Sequence, residues 1–115
     1  MKTIDPAALH IPVLLPQVLE ALQPFAGGKY LDATLGMGGH AKAILDCAEN
    51  SKLCGLDRDE LALSMAKIRL REFGDRVSFF HMPFADFPQA LSELGWKGVD
   101  GALADLGVSV QPATP

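Results

Sequence analysis

Asp32-Ala33-Thr34-Leu35-Gly36-Met37-Gly38-Gly39-His40 is the stretch whose reading decides the fold. A short apolar run, Lys29-Tyr30-Leu31, leads into it, and Ala41-Lys42-Ala43-Ile44-Leu45 leads out with a helical pattern. Strand, glycine turn and helix in that order bring a nucleotide-like ligand against backbone N–H groups at a helix N-terminus. Glycine suits such a turn because a Cβ would hinder both positive φ and the approach of the ligand. A second acid, Asp57, ends the next apolar run, Leu53-Cys54-Gly55-Leu56. A carboxylate at that place can accept hydrogen bonds from a ribose diol. The two signals together point to a nucleoside-containing cofactor.

Working outward, strand and helix patterns alternate. Val13 to Leu22 has helical spacing, with Pro16 tolerated in its first turn. Tyr30 to Ala33 reads as a strand, Gly39 to Ala48 as a helix and Lys52 to Leu56 as a second strand. Asp59 to Phe73 reads as a helix capped by Asp59 or Asp57, with Leu61, Met65 and Ile68 on one stripe and Ala62, Ala66 and Leu70 beside it. Val77 to His81 is a third strand, Phe87 to Leu94 a short amphipathic helix, and Val99 to Leu106 a fourth strand. The alternation predicts an α/β chain with a parallel sheet. Ligands of such sheets bind outside the C-terminal strand ends, here Asp32, Asp57, His81 to Phe84, and Asp105. No strand pattern follows Leu106, so the sheet is expected to be incomplete, with about four parallel strands.

With 115 residues the chain is at most one domain. A net charge of −4 gives no overall pull toward nucleic acid, so an RNA substrate would need a local basic patch. The best local candidate is Lys67, Arg69, Arg71 and Arg76, which also fits an ordinary solvated helix face. The N-terminus lacks the apolar region of a secretory signal and no run is long enough to cross a membrane, so the cytoplasm is the expected compartment. Cys47 and Cys54 have no metal-ligand spacing and are expected to be small core side chains; no metal is expected.

Two cofactor classes compete for the glycine turn. Gly36-Met37-Gly38-Gly39-His40-Ala41 matches the G-x-G-x-x-G/A dinucleotide pattern, which would suit an NAD-binding oxidoreductase. Asp32, four residues before Gly36, argues otherwise, because a carboxylate there would repel a pyrophosphate. S-adenosylmethionine has no phosphate and carries a sulfonium, an α-ammonium and a ribose, so an acid beside the turn suits it.

Five motifs occur in the order seen in the bacterial 16S ribosomal RNA cytosine-N4 methyltransferases: His10-Ile11-Pro12-Val13-Leu14-Leu15, the Asp32–His40 turn, Gly55-Leu56-Asp57-Arg58-Asp59, Pro83-Phe84, and Asp105-Leu106-Gly107-Val108-Ser109. The chain resembles the N-terminal part of such an enzyme over about residues 9–109. The resemblance implies a Rossmann-like class I methyltransferase sheet, S-adenosylmethionine as cofactor, and a cytidine of 16S ribosomal RNA in the small subunit as substrate. It also implies cofactor contacts at Gly38, Gly39, His40, Asp57, Phe84 and Asp105, beside the Asp32 and Gly36 already singled out. In the family a glutamine that helps hold the cofactor follows the last motif; the aligned position here is Pro112, with Gln111 one residue out of register. Family members also carry a recognition domain and later strands beyond this stretch. The chain is therefore expected to be a truncated cofactor-binding domain, inactive alone.

Each residue has a plainer alternative. Asp32 could cap the Gly38-Gly39 turn, Asp57 could cap a helix, Phe84 could be core, and His40 could act only through its backbone N–H. Asp105 is the one candidate for chemistry. Cytosine's exocyclic amine is conjugated into its ring, and an acceptor holding one N–H would aim its lone pair at the methyl carbon. The class alternative to an enzyme is a non-catalytic nucleoside-binding remnant. The resemblance implies strand order 3-2-1-4-5, so the fourth strand is expected to present an open apolar edge and to promote self-association.

Overall fold

The apolar runs and glycine breaks become an alternating series of strands and helices in the computed structural model of the protein, which describes residues 15–36, 38–104 and 107–109. Helix α1 spans Leu15–Leu22, strand β1 Lys29–Asp32, α2 Gly39–Cys47 and β2 Lys52–Asp57. Helix α3 spans Glu60–Arg69 and is followed by a 3₁₀ segment at Arg71–Arg76 and strand β3 at Val77–His81. A 3₁₀ turn at Phe84–Asp86 runs into α4 at Phe87–Leu94, and the sheet is completed by β4 at Gly101–Ala104 and β5 at Gly107–Ser109. The sheet order is β3-β2-β1-β4-β5. β1 to β4 are mutually parallel in the pairs that form, with Leu31 opposite Cys54 and Ala102, and Asp57 opposite His81.

Strand side chains alternate between two cores, one on each face. Tyr30, Leu53, Val77 and Leu103 point into a cluster with Val18 and Leu22 of α1, Ile44 and Leu45 of α2, Leu63 and Ala66 of α3, and Leu70 just after it. Leu31, Cys54 and Leu56 point the other way, onto Ala90 and Leu91 of α4. Burial on both faces explains why these strands read as continuous apolar runs. Each fully buried Leu or Ile contributes about 1.5–3 kcal/mol relative to an exposed one.

The structure corrects the sequence reading in four places. The expected α3 stripe is the outer face: Leu61 is 70% exposed, Ile68 64% and Met65 44%, while Leu63, Ala66 and Leu70 are buried. Both triads have helical spacing, and the sheet took the one with a small residue at its centre. The helix also ends at Arg69, and the 3₁₀ segment brings Phe73 inward. β5 was not expected. It pairs antiparallel with β4, Leu103 opposite Val108, so that edge of β4 is covered and not open. Two residues separate the strands in sequence, enough to join antiparallel strands but not parallel ones. Cys47 is exposed, because the buried α2 stripe is Ala41, Ile44 and Leu45; Cys54 is buried as expected.

Arg76 is the fourth correction. It is not a free surface cation. Its Nη2 donates to the carbonyls of Leu45 (2.8 Å) and Ala48 (2.9 Å), and its Nε to that of Ser51 (2.9 Å). The Leu45 and Ala48 carbonyls lie at the end of α2, where helices leave acceptors unpaired. One guanidinium thus closes α2 and ties it to the start of β3. Lys67, Arg69 and Arg71 are exposed, with the Lys67 ammonium over the Phe79 ring at 6.0 Å.

Two outcomes follow from this packing. Arg76→Ala should cost about 2–3 kcal/mol in urea unfolding, since it strands several buried acceptors; a loss below about 0.5 kcal/mol would contradict the role. Burial pushes the Cys54 thiol up to about 12. A thiolate reagent at neutral pH should therefore label the native chain once, at Cys47, and twice only after unfolding. Fast native labelling of both thiols would refute the placement of Cys54.

Candidate functional site

Four parallel strands end on the same side, and their last residues enclose a cleft of about 390 Å³. Ala33 and Thr34 follow β1, Asp57 ends β2 and Arg58 follows it, Pro83 and Phe84 follow β3, and Ala104 closes β4. Small residues at Ala33 and Ala104 keep the floor low. Phe84, 52% exposed at the start of its 3₁₀ turn, gives the cleft an aromatic wall. The lining is predominantly apolar with one carboxylate, which suits a flat heterocycle carrying a polar handle.

The glycine turn is built onto the end of β2. Leu35 is buried, its N–H donates to the Leu56 carbonyl at 2.7 Å, and a Cβ on Gly55 would lie 2.8 Å from its Cδ2. Gly55 therefore makes room for Leu35, and Leu35 fixes the turn. The next amide, that of Gly36 (φ +57°), donates to Asp57 Oδ2 at 2.7 Å. Asp57 Oδ1 accepts the Asp59 N–H at 2.8 Å. Asp59, not Asp57, caps α3, its Oδ1 accepting from Leu61 (3.0 Å) and Ala62 (3.4 Å). The two acids of Asp57-Arg58-Asp59 have thus divided the work between turn and helix.

Gly38 lies at the N-terminus of α2 with φ +86°. A Cβ there would sit 3.0 Å from Leu70 Cδ1 and 3.6 Å from the Ala66 Cβ. Its glycine is required by the packing of α3 against the turn as well as by the backbone angle. Gly39 and His40 form the first turn of α2, both half-buried and outside the cleft lining. Asp32 ends β1, is buried, and its Oδ1 accepts the Thr34 N–H at 3.3 Å, closing the turn beneath Thr34. Asp57 and Phe84 are brought together in the cleft, and Gly36 is joined to them through Asp57. Asp105, His10, Gln111 and Pro112 lie outside the described residues.

Pro83 lies in the His81 to Phe84 segment that the sequence placed at a ligand-binding strand end, whereas sequence reasoning missed Thr34, Arg58, Ala33 and Ala104 as lining, although the first three stand inside quoted motifs. It also gave His81 no partner; its Nε2 is 3.0 Å from the Arg58 carbonyl. Together with the Met82 N–H to Asp57 carbonyl bond (3.0 Å), this clasps the loops after β2 and β3. No group of His, Cys, Asp and Glu suited to a metal occurs among the described residues.

Gly38 and Gly27 form a matched pair for testing the packing. Gly27 also has positive φ (+78°), but nothing lies within 4 Å of its Cβ position. Gly27→Ala should cost only the backbone term, about 1–2 kcal/mol. Gly38→Ala should cost about 1–3 kcal/mol more, from forced contact with Leu70. Equal losses in thermal unfolding would show that α3 does not press on the turn.

Comparison with known proteins bears on family and fold. The family model described as MraW methylase family matches residues 7–113. The chain is 60% identical over 100 residues to a ribosomal RNA small subunit methyltransferase H of Desulfovibrio desulfuricans, covering 87% of this chain and 31% of that protein. It is 52% identical over 101 residues to one from Citrifermentans bemidjiense, covering 87% and 32%. The chain thus spans about a third of the length of these relatives. Among solved structures, TrmN from Thermus thermophilus superposes with a TM-score of 0.63 at 24% identity, covering 81% of this chain and 27% of that one. A SAM-dependent O-methyltransferase from Thermotoga maritima gives 0.60 at 17% identity, covering 90% and 36%. The fold is the Rossmann-like one of such methyltransferases, and the chain belongs to the MraW methylase family.

Proposed function

We propose that residues 1–115 are the cofactor-binding part of an S-adenosylmethionine-dependent methyltransferase acting on the N4 amine of a cytidine in 16S ribosomal RNA. The observation that carries the reading is the cleft at four strand ends, with Asp57 and Phe84 in its lining and the glycine turn tied to Asp57. Family membership and the names of the relatives supply the RNA substrate. A ribosomal substrate would suit a protein of the cytoplasm.

The residues present fit the cofactor. The cleft volume lies in the range of small-molecule sites, about 300–1,000 Å³. Phe84 and Pro83 would face the adenine ring, and the Asp57 carboxylate would accept the ribose hydroxyls. The amide groups of Gly39 and His40 would meet the amino-acid end at the α2 N-terminus, while Gly38, whose N–H is held by the Leu35 carbonyl, shapes the turn that leads to them. Asp32 places a carboxylate beside the turn, which favours a cationic ligand over a pyrophosphate. When bound, S-adenosylmethionine supplies an electrophilic methyl group.

Asp105 follows β4 directly in sequence, as Asp57 closes β2. We assign it the holding of one N–H of the accepting amine, which orients the nitrogen lone pair.

Isothermal titration with S-adenosylmethionine and with NAD tests the reading. Binding should be seen with the first and not the second, and Asp57→Ala should weaken it by about 1.5–3 kcal/mol, the value of hydrogen bonds to a charged acceptor. Tighter binding of NAD would replace the methyltransferase reading with an oxidoreductase one. Binding of neither would leave a remnant without cofactor function.

A further inference from the structure

We propose that Asp57 is a positioning residue for the glycine turn as well as a ribose acceptor, so that one carboxylate sets the turn's shape before any ligand arrives and then receives the ligand itself. The inference rests on the cofactor reading above and concerns what Asp57 does beyond touching the ribose.

The geometry separates two anchors of the turn. Leu35 is held by packing over Gly55 and by its N–H to the Leu56 carbonyl, neither of which involves a side-chain acid. Gly36, one residue on, is held by the Asp57 carboxylate at 2.7 Å. Its φ of +57° is in the left-handed region that glycine adopts readily. Gly36 leads through Met37 to Gly38, whose own N–H bonds the Leu35 carbonyl at 3.0 Å. The amides proposed to meet the amino-acid end of the cofactor are thus reached through a link that Asp57 holds. The second carboxylate oxygen is fixed by the Asp59 N–H at 2.8 Å, and Asp59 is itself locked as the cap of α3. Asp57 is therefore clamped between turn and helix, with its remaining lone pairs left for the cleft it lines. A carboxylate has about four acceptor sites, so amide and ribose donors can share it. Preorganisation of this kind reduces the ordering cost of binding.

Losing Asp57 should therefore weaken even a ligand that has no ribose diol. A residue that only touches the ribose would not do so.

Two measurements decide it. In amide hydrogen exchange on the 115-residue chain without ligand, Gly36 should be protected. In Asp57→Ala its exchange should rise by about tenfold or more, while Leu35 keeps its protection. In Asp57→Asn the amide can serve only one of the two N–H groups, so either Gly36 or Asp59 should lose protection. That variant decides the matter if the alanine one fails to fold. Unchanged exchange at both amides would overturn the inference and leave the ribose reading standing. The second measurement titrates S-adenosylhomocysteine and its 2′,3′-dideoxy analogue into wild type and Asp57→Ala. Weakening of the dideoxy analogue by about five- to tenfold supports positioning, because the coupling cannot run through the missing hydroxyls. Loss confined to the diol-bearing ligand would overturn it. Failure of either ligand to bind wild type would remove the cofactor reading, and the exchange result would still decide whether Asp57 sets the turn.

Discussion

Leu35 seated over Gly55 is the constraint on which the rest of the site depends. The side chain enters the space that a missing Cβ leaves on β2, and the main chain bonds the Leu56 carbonyl beside it. With that contact made, the turn after β1 can only run across the end of β2. Gly36 then falls on Asp57, and Gly38 falls where Leu70, at the end of α3, presses on it. A hydrophobic packing decision in the core thus fixes the polar geometry at the surface. Substituting Gly55 by a larger residue would disturb the candidate site without touching any residue that lines it.

The cleft itself belongs to no single element. β1, β2, β3 and β4 each contribute one or two residues, and parallel pairing brings those residues to one edge. The register does the alignment, with Asp32 opposite Gly55 and Leu103, and Asp57 opposite His81. Two bonds between strand ends then hold the loops: His81 Nε2 with the Arg58 carbonyl, and Met82 N–H to the Asp57 carbonyl. Arg76 performs the matching task for α2, fixing the far end of the helix whose first turn carries Gly39 and His40. Rigid supports outside the cleft are what give a shallow surface depression a defined shape.

Much of this was legible in the sequence because the signals were redundant. The glycine turn, the acid ending β2 and the alternation of strand and helix each implied the same parallel α/β sheet, and the structure has it. What was not legible depended on choices between equal local options. Helix α3 carries apolar residues on two faces, and packing against the sheet and the glycine turn selects Leu63, Ala66 and Leu70. Asp57 and Asp59 are both plausible caps by sequence, and the bond from Gly36 decides between them. Arg76 reads as one more surface cation until its partners, some 25 to 31 residues away, are known. β5 is a three-residue strand whose pairing is created by β4 and has no periodic signal of its own.

The central claim is that the edge formed by four strand ends holds the nucleoside of S-adenosylmethionine. Mapping amide chemical-shift changes on the chain during titration with S-adenosylhomocysteine tests it most directly. The account predicts that the largest changes cluster at Thr34, Gly36, Arg58, Phe84 and Ala104. Changes centred elsewhere, such as the outer face of α3 at Leu61 and Ile68, or no change at saturating ligand, would contradict it.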